Sequence, residues 1–391
     1  MASQVHQVNR AIYVDHAATT PMHPAAIDAY SRQMSEVGNA SSLHAQGRAV
    51  RKAVEESREL IARAAGCDAS EIIFTSSGTE ANNLAIKGFF WANPSKKVIV
   101  VSSIEHHAVL DPVEWLVEHE GAIVHYVPAL ANGVIDLAAL KEIVDTNRSE
   151  IAVIAIMHSN NEVGTLQPIS EVVKIAGDLP VHTDAVQSFG KVNFDFAELG
   201  VTSASVSAHK LGGPLGVAAL ILKRGLDLTP LLHGGGQERD IRSSTINAPG
   251  IVSFASAVNQ NLMDMRERYF RVQSMRDLLR SELERELPEI VINGQTQENL
   301  PGILNVTFPG TNNESLLVLL DMAGICASQG SACSAGVQRP SHVLLAMGIL
   351  EDHADATIRF SVGVTNTEEE MKEIGRVIAG IVEKAKAAAK K

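Results

Sequence analysis

The sequence predicts an α/β protein, with a large domain around a mainly parallel sheet and a smaller α+β domain at the C-terminal end. Short Val-, Ile- and Ala-rich runs alternate with amphipathic stretches through the first part of the chain. This alternation is typical of strands that are buried on both faces and covered by helices. The pattern changes near residue 250, after which fewer strands follow. A length of 391 residues is ample for two domains.

The apolar runs predict the strands of the large domain, at 97–103, 150–159, 179–186, 203–208 and 216–222. Helices are predicted between them, including 48–65, 81–90 and 169–176. One long helix is predicted over 249–287, because apolar residues recur at helical spacing until Pro288. The small domain adds strands at 303–308 and 357–362 and a last helix from Thr367. We expect a large domain over 16–255 and a small one from 1–15 and 256–391.

Composition narrows the class of protein. A net charge of −12 argues against a direct nucleic-acid partner, because such proteins usually carry a basic face. Three cysteines in so long a chain argue against a disulfide framework and for a reducing compartment. The first residues do not resemble a signal peptide, and no apolar run has the length of a membrane span. We therefore expect a cytoplasmic protein without a membrane partner.

Lys210 follows a predicted strand and precedes a glycine cluster, in SVSAHKLGGPLG (205–216). A lysine among small residues at a strand end can lose its proton and form a Schiff base with an aldehyde cofactor. A surface lysine in a loop is the alternative. Ser207 and His209 add polar groups beside it, and the glycines allow close backbone approach, which favours the cofactor interpretation.

Asp184 ends another predicted strand, in TDAVQ (183–187). A buried aspartate there needs a cationic partner or strong hydrogen bonds. The protonated ring nitrogen of pyridoxal phosphate (PLP) is such a partner, and Gln187 is placed to contact the ring hydroxyl. A helix N-cap aspartate is the alternative interpretation.

The segment FTSSGTEANNLAIKG (74–88) ends a strand and opens a helix. Free backbone N–H groups at a helix start bind phosphate, and Thr79 adds a hydroxyl. The segment contains neither GxGxxG nor a Walker lysine, so it does not favour a nucleotide site. A plain Ser/Thr helix cap is the alternative.

Further polar residues lie at or beyond other strands. His106 and Asn160 each follow a strand, and the carboxyl ends of such strands form the ligand-binding edge of a sheet. A structural histidine is the alternative for His106. Arg359 lies within a predicted strand, where it needs an anionic partner. The carboxylate of an amino-acid substrate would be such a partner. The alternative is an Asp or Glu side chain of the protein itself.

Cys333 lies among Gly, Ser and Ala residues in ASQGSACSAGVQRPS (327–341). This composition predicts an exposed loop, and a free exposed thiol indicates reactivity. Cys326 lies in an apolar run (AGICA) and Cys67 in the link after a helix (AAGCD), and both are interpreted as structural. We expect no resident metal, since no CxxC spacing is present.

Together these segments resemble the cysteine desulfurases of the class V aminotransferase group, within PLP fold type I, and in particular their group I branch, which serves iron–sulfur cluster assembly. The resemblance covers nearly the whole chain. It rests on the segments already quoted and on DHAATTP (15–21), GNASSLHAQGR (38–48), EHHAVLD (105–111), MHSNNEVG (157–164), HTDAVQSFGK (182–191), LHGGGQERDIRSST (232–245) and IRFSVG (358–363). One departure is SQGSACSA around Cys333, where the family pattern reads SSGSACTS.

The resemblance implies a role for each candidate residue. Lys210 binds PLP as a Schiff base, His106 stacks on the ring and moves protons, and Asp184 and Gln187 contact the ring nitrogen and hydroxyl. The phosphate is held by a further set, which is Gly78, Thr79, Ser207, His209 and, from the second subunit of an expected homodimer, Thr245. Asn160 lies at the cofactor and, with Arg359, holds the substrate carboxylate.

The resemblance also implies the reaction. Cys333 takes the sulfur of L-cysteine as a persulfide and leaves L-alanine, and it could ligate a transferred iron–sulfur cluster. A sulfur-acceptor protein is expected as partner, either an iron–sulfur scaffold or a tRNA-thiolation relay. Two alternatives stay open. One is another fold type I PLP enzyme, such as a selenocysteine lyase or an aminotransferase, and the other is a Rossmann-type nucleotide-binding protein without PLP.

Overall fold

The computed structural model describes residues 11–226, 228–294, 296, 298–330 and 340–389. The strands in these ranges are β1 (Ile12–Tyr13), β2 (Ile72–Thr75), β3 (Val98–Ser102), β4 (Ile123–Val127), β5 (Ile151–Ala155), β6 (Val181–Asp184), β7 (Ser203–Ser207), β8 (Ala218–Leu222), β9 (Val291–Asn293), β10 (Ile303–Thr307), β11 (Ile325–Cys326) and β12 (Thr357–Ser361).

The helices in the same ranges are α1 (Pro24–Met34), α2 (Ala45–Ala65), α3 (Gly78–Ala92), α4 (His107–Glu120), α5 (Leu137–Asn147), α6 (Ile169–Ala176), α7 (Phe196–Leu199), α8 (Ala248–Met263), α9 (Met265–Glu286), α10 (Asn313–Met322), α11 (His342–Ala346), α12 (Glu351–Asp355) and α13 (Glu368–Ala389). Two short 3-10 helices lie at Ala69–Glu71 and Ala208–Leu211. None of the described helices is long and apolar enough to cross a lipid bilayer.

A seven-stranded sheet forms the centre of the larger unit, in the order β2-β8-β7-β6-β5-β3-β4. Only β8 runs against its neighbours in this sheet, so the other six strands point the same way. The predicted strands at 97–103, 150–159, 179–186, 203–208 and 216–222 all belong to it. The prediction of a mainly parallel α/β fold is therefore confirmed.

Helices cover both faces of the central sheet, as the continuous apolar strands require. On one face α2, α5, α6 and α8 bury their apolar residues in one core. On the other face α3 and α4 bury theirs in a second core. The strands β3, β5, β6, β7 and β8 are buried along their whole length between these two layers.

The C-terminal part forms a smaller unit with its own core. Strands β12, β10 and β9 make an antiparallel sheet, and β1 pairs with β11 in parallel. Helices α9, α10 and α13 pack against this sheet through residues such as Leu279, Leu316 and Ile374. The β1–β11 pairing places the N-terminal strand in this unit. The domain limits at residues 16 and 255 stay a prediction.

The prediction of one long helix over 249–287 is wrong, because the structure has two helices there, α8 and α9. The backbone leaves helical geometry at Asp264, with φ −127° and ψ 24°. Aspartate is a poor residue for a helix interior. The two helices also pack in different cores, α8 beside the central sheet and α9 in the smaller unit. Apolar spacing alone continues across this break and does not reveal it.

Candidate active site

The carboxyl ends of five strands bring the predicted site residues to one edge of the central sheet. Strand β6 ends at Asp184, and the chain leaving β7 carries Lys210. Strand β3 leads to His106, and β5 leads to Asn160. Strand β2, which points the same way as β7, leads to the start of α3 at Gly78. The topology thus gathers residues that are far apart in sequence.

Asp184 is buried and both of its carboxylate oxygens accept hydrogen bonds. Oδ1 accepts from the backbone N–H of Val186 at 2.9 Å, and Oδ2 accepts from Nδ2 of Asn82 at 2.7 Å. Donors on both oxygens fix the direction in which the carboxylate faces. Asp184 is therefore a preoriented anionic group at the ligand-binding edge.

A chain of buried hydrogen bonds extends behind Asp184. Oδ1 of Asn82 lies 2.9 Å from Nε2 of His182, and Nδ1 of His182 lies 2.8 Å from the hydroxyl of Ser203. Because the Asn82 amide donates to Asp184, its oxygen faces His182, which assigns the histidine proton to Nε2. Burial lowers the pKa of His182 to about 3, so the ring is neutral. Sequence reasoning missed Asn82 and His182.

Lys210 reaches back to the segment that follows β1. Its Nζ donates to the backbone oxygens of Ala17 at 2.5 Å and Ala18 at 2.8 Å. Gln187 Nε2 donates to the same Ala17 oxygen at 2.8 Å. The carbonyl of Ala17 therefore joins two predicted cofactor residues. No side chain signals it in the sequence, although it lies in the DHAATTP segment.

His106 caps the start of α4, where its Nδ1 accepts from the backbone N–H of Ala108 at 3.0 Å. Burial lowers the pKa of His106, and the nearby Asp184 opposes this effect. The ring is therefore neutral at pH 7 and carries its proton on Nε2. Such a ring suits stacking and proton transfer, and these roles of His106 stay a prediction.

The start of α3 lies beside β7, as a phosphate site would require. A Cβ at Gly78 would lie 2.8 Å from Cγ2 of Val186 and 3.7 Å from Cβ of Ser207. Glycine is therefore needed for this close approach. Ser77 accepts from the backbone N–H of Glu80, which caps the helix. Thr79 at the next position is exposed.

Two further phosphate candidates differ in their surroundings. His209 lies 3.2 Å from the hydroxyl of Thr19, through Nδ1. Burial, with Lys210 and Lys191 nearby, lowers the pKa of His209 to about 4, so the ring is neutral. Thr245 is exposed and precedes α8. Its role in a second subunit stays a prediction.

The side chain of Asn160 is fully buried and holds its own loop. Its Oδ1 accepts from the backbone N–H groups of Glu162 at 2.8 Å and Val163 at 3.0 Å. Its Nδ2 donates to the Ile104 oxygen at 3.0 Å. These bonds shape the loop that follows β5. Direct contact of Asn160 with a cofactor or substrate stays a prediction.

Arg359 lies buried in β12 and already contacts two acceptors. One terminal nitrogen donates to the Asn161 oxygen at 2.9 Å, and the other pairs with Oδ1 of Asp15 at 2.9 Å. Nε of Arg359 has no hydrogen-bond partner among the described residues. Arg359 thus pairs with an aspartate, which is one of the two alternatives that the sequence offers. Its Nε–H is a donor that could serve the other alternative, a substrate carboxylate.

Cys333 lies outside the described residues, but residues before and after it are placed. Ser328 pairs with Arg359 through two backbone hydrogen bonds, of 2.6 and 3.2 Å. On the other side, the hydroxyl of Ser341 donates to Glu162 Oε2 at 2.5 Å. A Cβ on Gly330 would lie 2.5 Å from the same oxygen. The chain thus enters and leaves the Cys333 segment beside the Glu162 loop and β12.

A cleft of about 180 Å³ opens beside Lys210. Both units contribute to its wall, with Gln187 and Lys191 from one and Ser361 and Val362 from the other. Across the described ranges, no three His, Cys, Asp or Glu side chains are grouped to hold a metal ion.

Comparison with known proteins gives consistent matches. The aminotransferase class-V family matches residues 12–374. The IscS-like cysteine desulfurase of Mycobacterium tuberculosis is 45% identical over 384 residues, which cover 96% of this chain and 98% of that protein. The cysteine desulfurase IscS of Methanosarcina thermophila is 40% identical, covering 96% and 93%.

Solved structures agree with these sequences. A NifS-like protein superposes with a TM-score of 0.89 at 35% identity and covers 95% of this chain and 99% of its own. SspA in complex with cysteine superposes with a TM-score of 0.79 at 33% identity, covering 91% and 100%.

Proposed function

The chain belongs to the class-V aminotransferase family as one of its cysteine desulfurases, and we propose that it works with Lys210 as cofactor anchor and Cys333 as sulfur acceptor. The observation that carries this assignment is the placement of a primary amine and a preoriented carboxylate at the ends of two adjacent strands. Lys210 and Asp184 leave β7 and β6, which pair directly. These are the two groups that bind the aldehyde and the ring nitrogen of PLP.

The residues present fit PLP by their chemistry. Lys210 offers an amine, Asp184 an oriented anion, and Gln187 an amide beside it. Gly78 leaves backbone N–H groups of α3 close to Ser207, which suits a phosphate. When bound, the cofactor withdraws electrons from the substrate's α-carbon. We propose that Gly78, Thr79, Ser207 and His209 hold its phosphate.

The remaining groups bind the substrate and move protons. We propose that Lys210 takes the α-proton of cysteine, and that neutral His106 stacks on the ring and relays protons. Arg359 binds the substrate carboxylate, with Asn160 holding the neighbouring loop in place. Because Asp15 occupies one side of Arg359, the substrate either shares this arginine or displaces the aspartate.

Cys333 completes the reaction. Its thiolate attacks the sulfur of the substrate, the carbon–sulfur bond breaks, and the carbon takes up a proton. One sulfur atom thus moves from cysteine, which becomes alanine, to the thiol, which becomes a persulfide. Residues flanking Cys333 contact β12 at Arg359 and the loop at Glu162. The described ends of the segment that contains Cys333 thus lie beside Arg359, the residue proposed to bind the substrate carboxylate.

The partners follow from this chemistry. We propose a homodimer in which Thr245 of one subunit completes the phosphate site of the other. A persulfide needs an acceptor protein, either an iron–sulfur scaffold or a tRNA-thiolation relay, and Cys333 could ligate a transferred cluster. The low cysteine content supports a cytoplasmic, reducing location.

The deciding experiment compares Cys333→Ser with a matched Cys326→Ser variant. Cys333→Ser should keep the visible absorbance of bound cofactor and release almost no sulfide from L-cysteine. Cys326→Ser should retain sulfide release, because Cys326 lies in β11, where it pairs with β1, and has no proposed role in the reaction. Normal sulfide release by Cys333→Ser would overturn the nucleophile assignment. A visible band that borohydride does not remove would overturn the role of Lys210.

A further inference from the structure

Lys191 lies in the turn after β6, four residues beyond Gln187. Its Nζ donates to Oε1 of Gln187 at 3.2 Å. Its side chain is half-buried and lines the cleft beside Lys210. Lys191 therefore presents its amine to the cleft and to the Gln187 amide.

The contacts of Gln187 determine the orientation of its amide. The oxygen accepts from Lys191, and the nitrogen donates to the Ala17 oxygen at 2.8 Å. A flipped amide would set its nitrogen against the ammonium and its oxygen against a carbonyl, so the flip is unfavourable. An amide nitrogen has two N–H groups, and only one is needed for Ala17. The second N–H is available to a ligand in the site.

The surroundings of Lys191 carry positive charge from Lys210, Arg268 and Arg359, the last of which is paired with Asp15. His16 and His209 also lie near it and are neutral, because burial lowers the pKa of each to about 4, and His23 lines the same cleft. Among the described residues that line the cleft there is no Asp or Glu. Burial, followed by the charges of Lys210 and Arg359, lowers the pKa of Lys191 to about 7. An anionic oxygen in the site would relieve this repulsion.

We propose that Lys191 is a positioning residue of the cofactor site, which fixes the Gln187 amide with an N–H toward the ring oxygen of the cofactor and adds positive charge beside it. The inference rests on the proposed function, since it requires PLP bound to Lys210. A cation near the Lys210–cofactor linkage makes the linking nitrogen release its proton more readily. Lys191 therefore sets the pH at which this linkage titrates.

The test is a pH titration of the visible absorbance of the purified holoenzyme. Lys191→Met removes the charge at similar length and should move the titration midpoint up by about half to one pH unit. Lys191→Arg keeps the charge and should restore the midpoint to near the wild-type value. Lys174→Met, on the exposed face of α6, is the matched control and should leave it unchanged.

Several outcomes overturn the inference. A midpoint in Lys191→Met equal to that of the wild type would do so, as would loss of the band in both Lys191 variants of a folded protein. Absence of a visible band in the wild type would instead contradict the proposed function itself. Titration of PLP into the apoprotein gives a second readout. We expect Lys191→Met, but not Lys191→Arg, to bind PLP several-fold more weakly.

Discussion

The proposed cofactor side and the proposed substrate side of this site are built in different ways. On the cofactor side, Asp184, Lys210 and His106 lie at or just after the ends of strands of one sheet, and Lys210 also donates to Ala17 in the segment that follows β1. On the substrate side, Arg359 comes from the small sheet and Asp15 from the segment after β1. The first side is produced mainly by the topology of a single sheet, and the second by packing between distant segments.

This difference has an energetic consequence. Asp184 is held by two hydrogen bonds and can receive a cofactor cation without rearrangement. Arg359 is held by an ion pair with Asp15, and a substrate carboxylate must compete with that partner or share the arginine. A group that is already oriented need not rearrange when its ligand binds, whereas exchanging one ion pair for another costs free energy. We therefore expect the cofactor side to be rigid and the substrate side to adjust.

The largest effect should come from the cofactor side. Lys210→Ala removes both the cofactor linkage and the proposed base, so cysteine turnover should fall by at least about ten-thousandfold. The borohydride-sensitive absorbance band should disappear with it. Lys174→Ala on α6 serves as control and should show wild-type turnover. Substantial turnover by Lys210→Ala would break the distinction between an essential cofactor side and an adjustable substrate side.

A smaller effect is expected on the substrate side. Arg359→Gln removes a charge-assisted contact to the substrate carboxylate, so kcat/KM for cysteine should fall about 10- to 100-fold, mainly through KM. Cofactor absorbance should be retained.

Asp15→Asn sharpens the comparison, since it leaves Arg359 without its anionic partner and should lower KM a few-fold. A raised KM in Asp15→Asn would show that the ion pair assists binding of the substrate.

The cofactor side could be predicted largely from the sequence. Continuous apolar runs gave β3, β5, β6, β7 and β8, and a polar residue after a strand must lie at the sheet edge when the strands are parallel. This logic predicts that Lys210, Asp184 and His106 lie at that edge, and the structure places them there; their roles stay predictions. Each of these residues lies at the end of an apolar run or close behind one, and such a run can be recognised within a short stretch of sequence.

The substrate side and the hydrogen-bond network behind Asp184 could not be predicted from the sequence in the same way. Asp15 and Arg359 lie 344 positions apart, and no periodic pattern connects them. The Ala17 carbonyl has no side-chain signature, and Asn82 looks like an ordinary helix residue in the sequence. His182 lies two residues before Asp184 and thus on the same face of β6, which was a signal that could have been used. The break at Asp264 depends on which core each helix meets.

The smallest expected effect tests whether the cofactor side is rigid because of its buried network. Asn82→Ala leaves Asp184 Oδ2 without this donor and His182 Nε2 without this acceptor, at a buried position. Unfolding free energy should fall by about 1–3 kcal/mol, and PLP affinity by about tenfold, since Asp184 can then turn away from the ring nitrogen. The control is Asn83→Ala, whose side chain donates to the Thr79 oxygen in the same helix. Denaturant unfolding and cofactor titration of both variants measure these effects. Equal behaviour of the two variants would mean that Asp184 is held by its backbone contact alone, and that the rigidity of this side comes from the sheet rather than from the network.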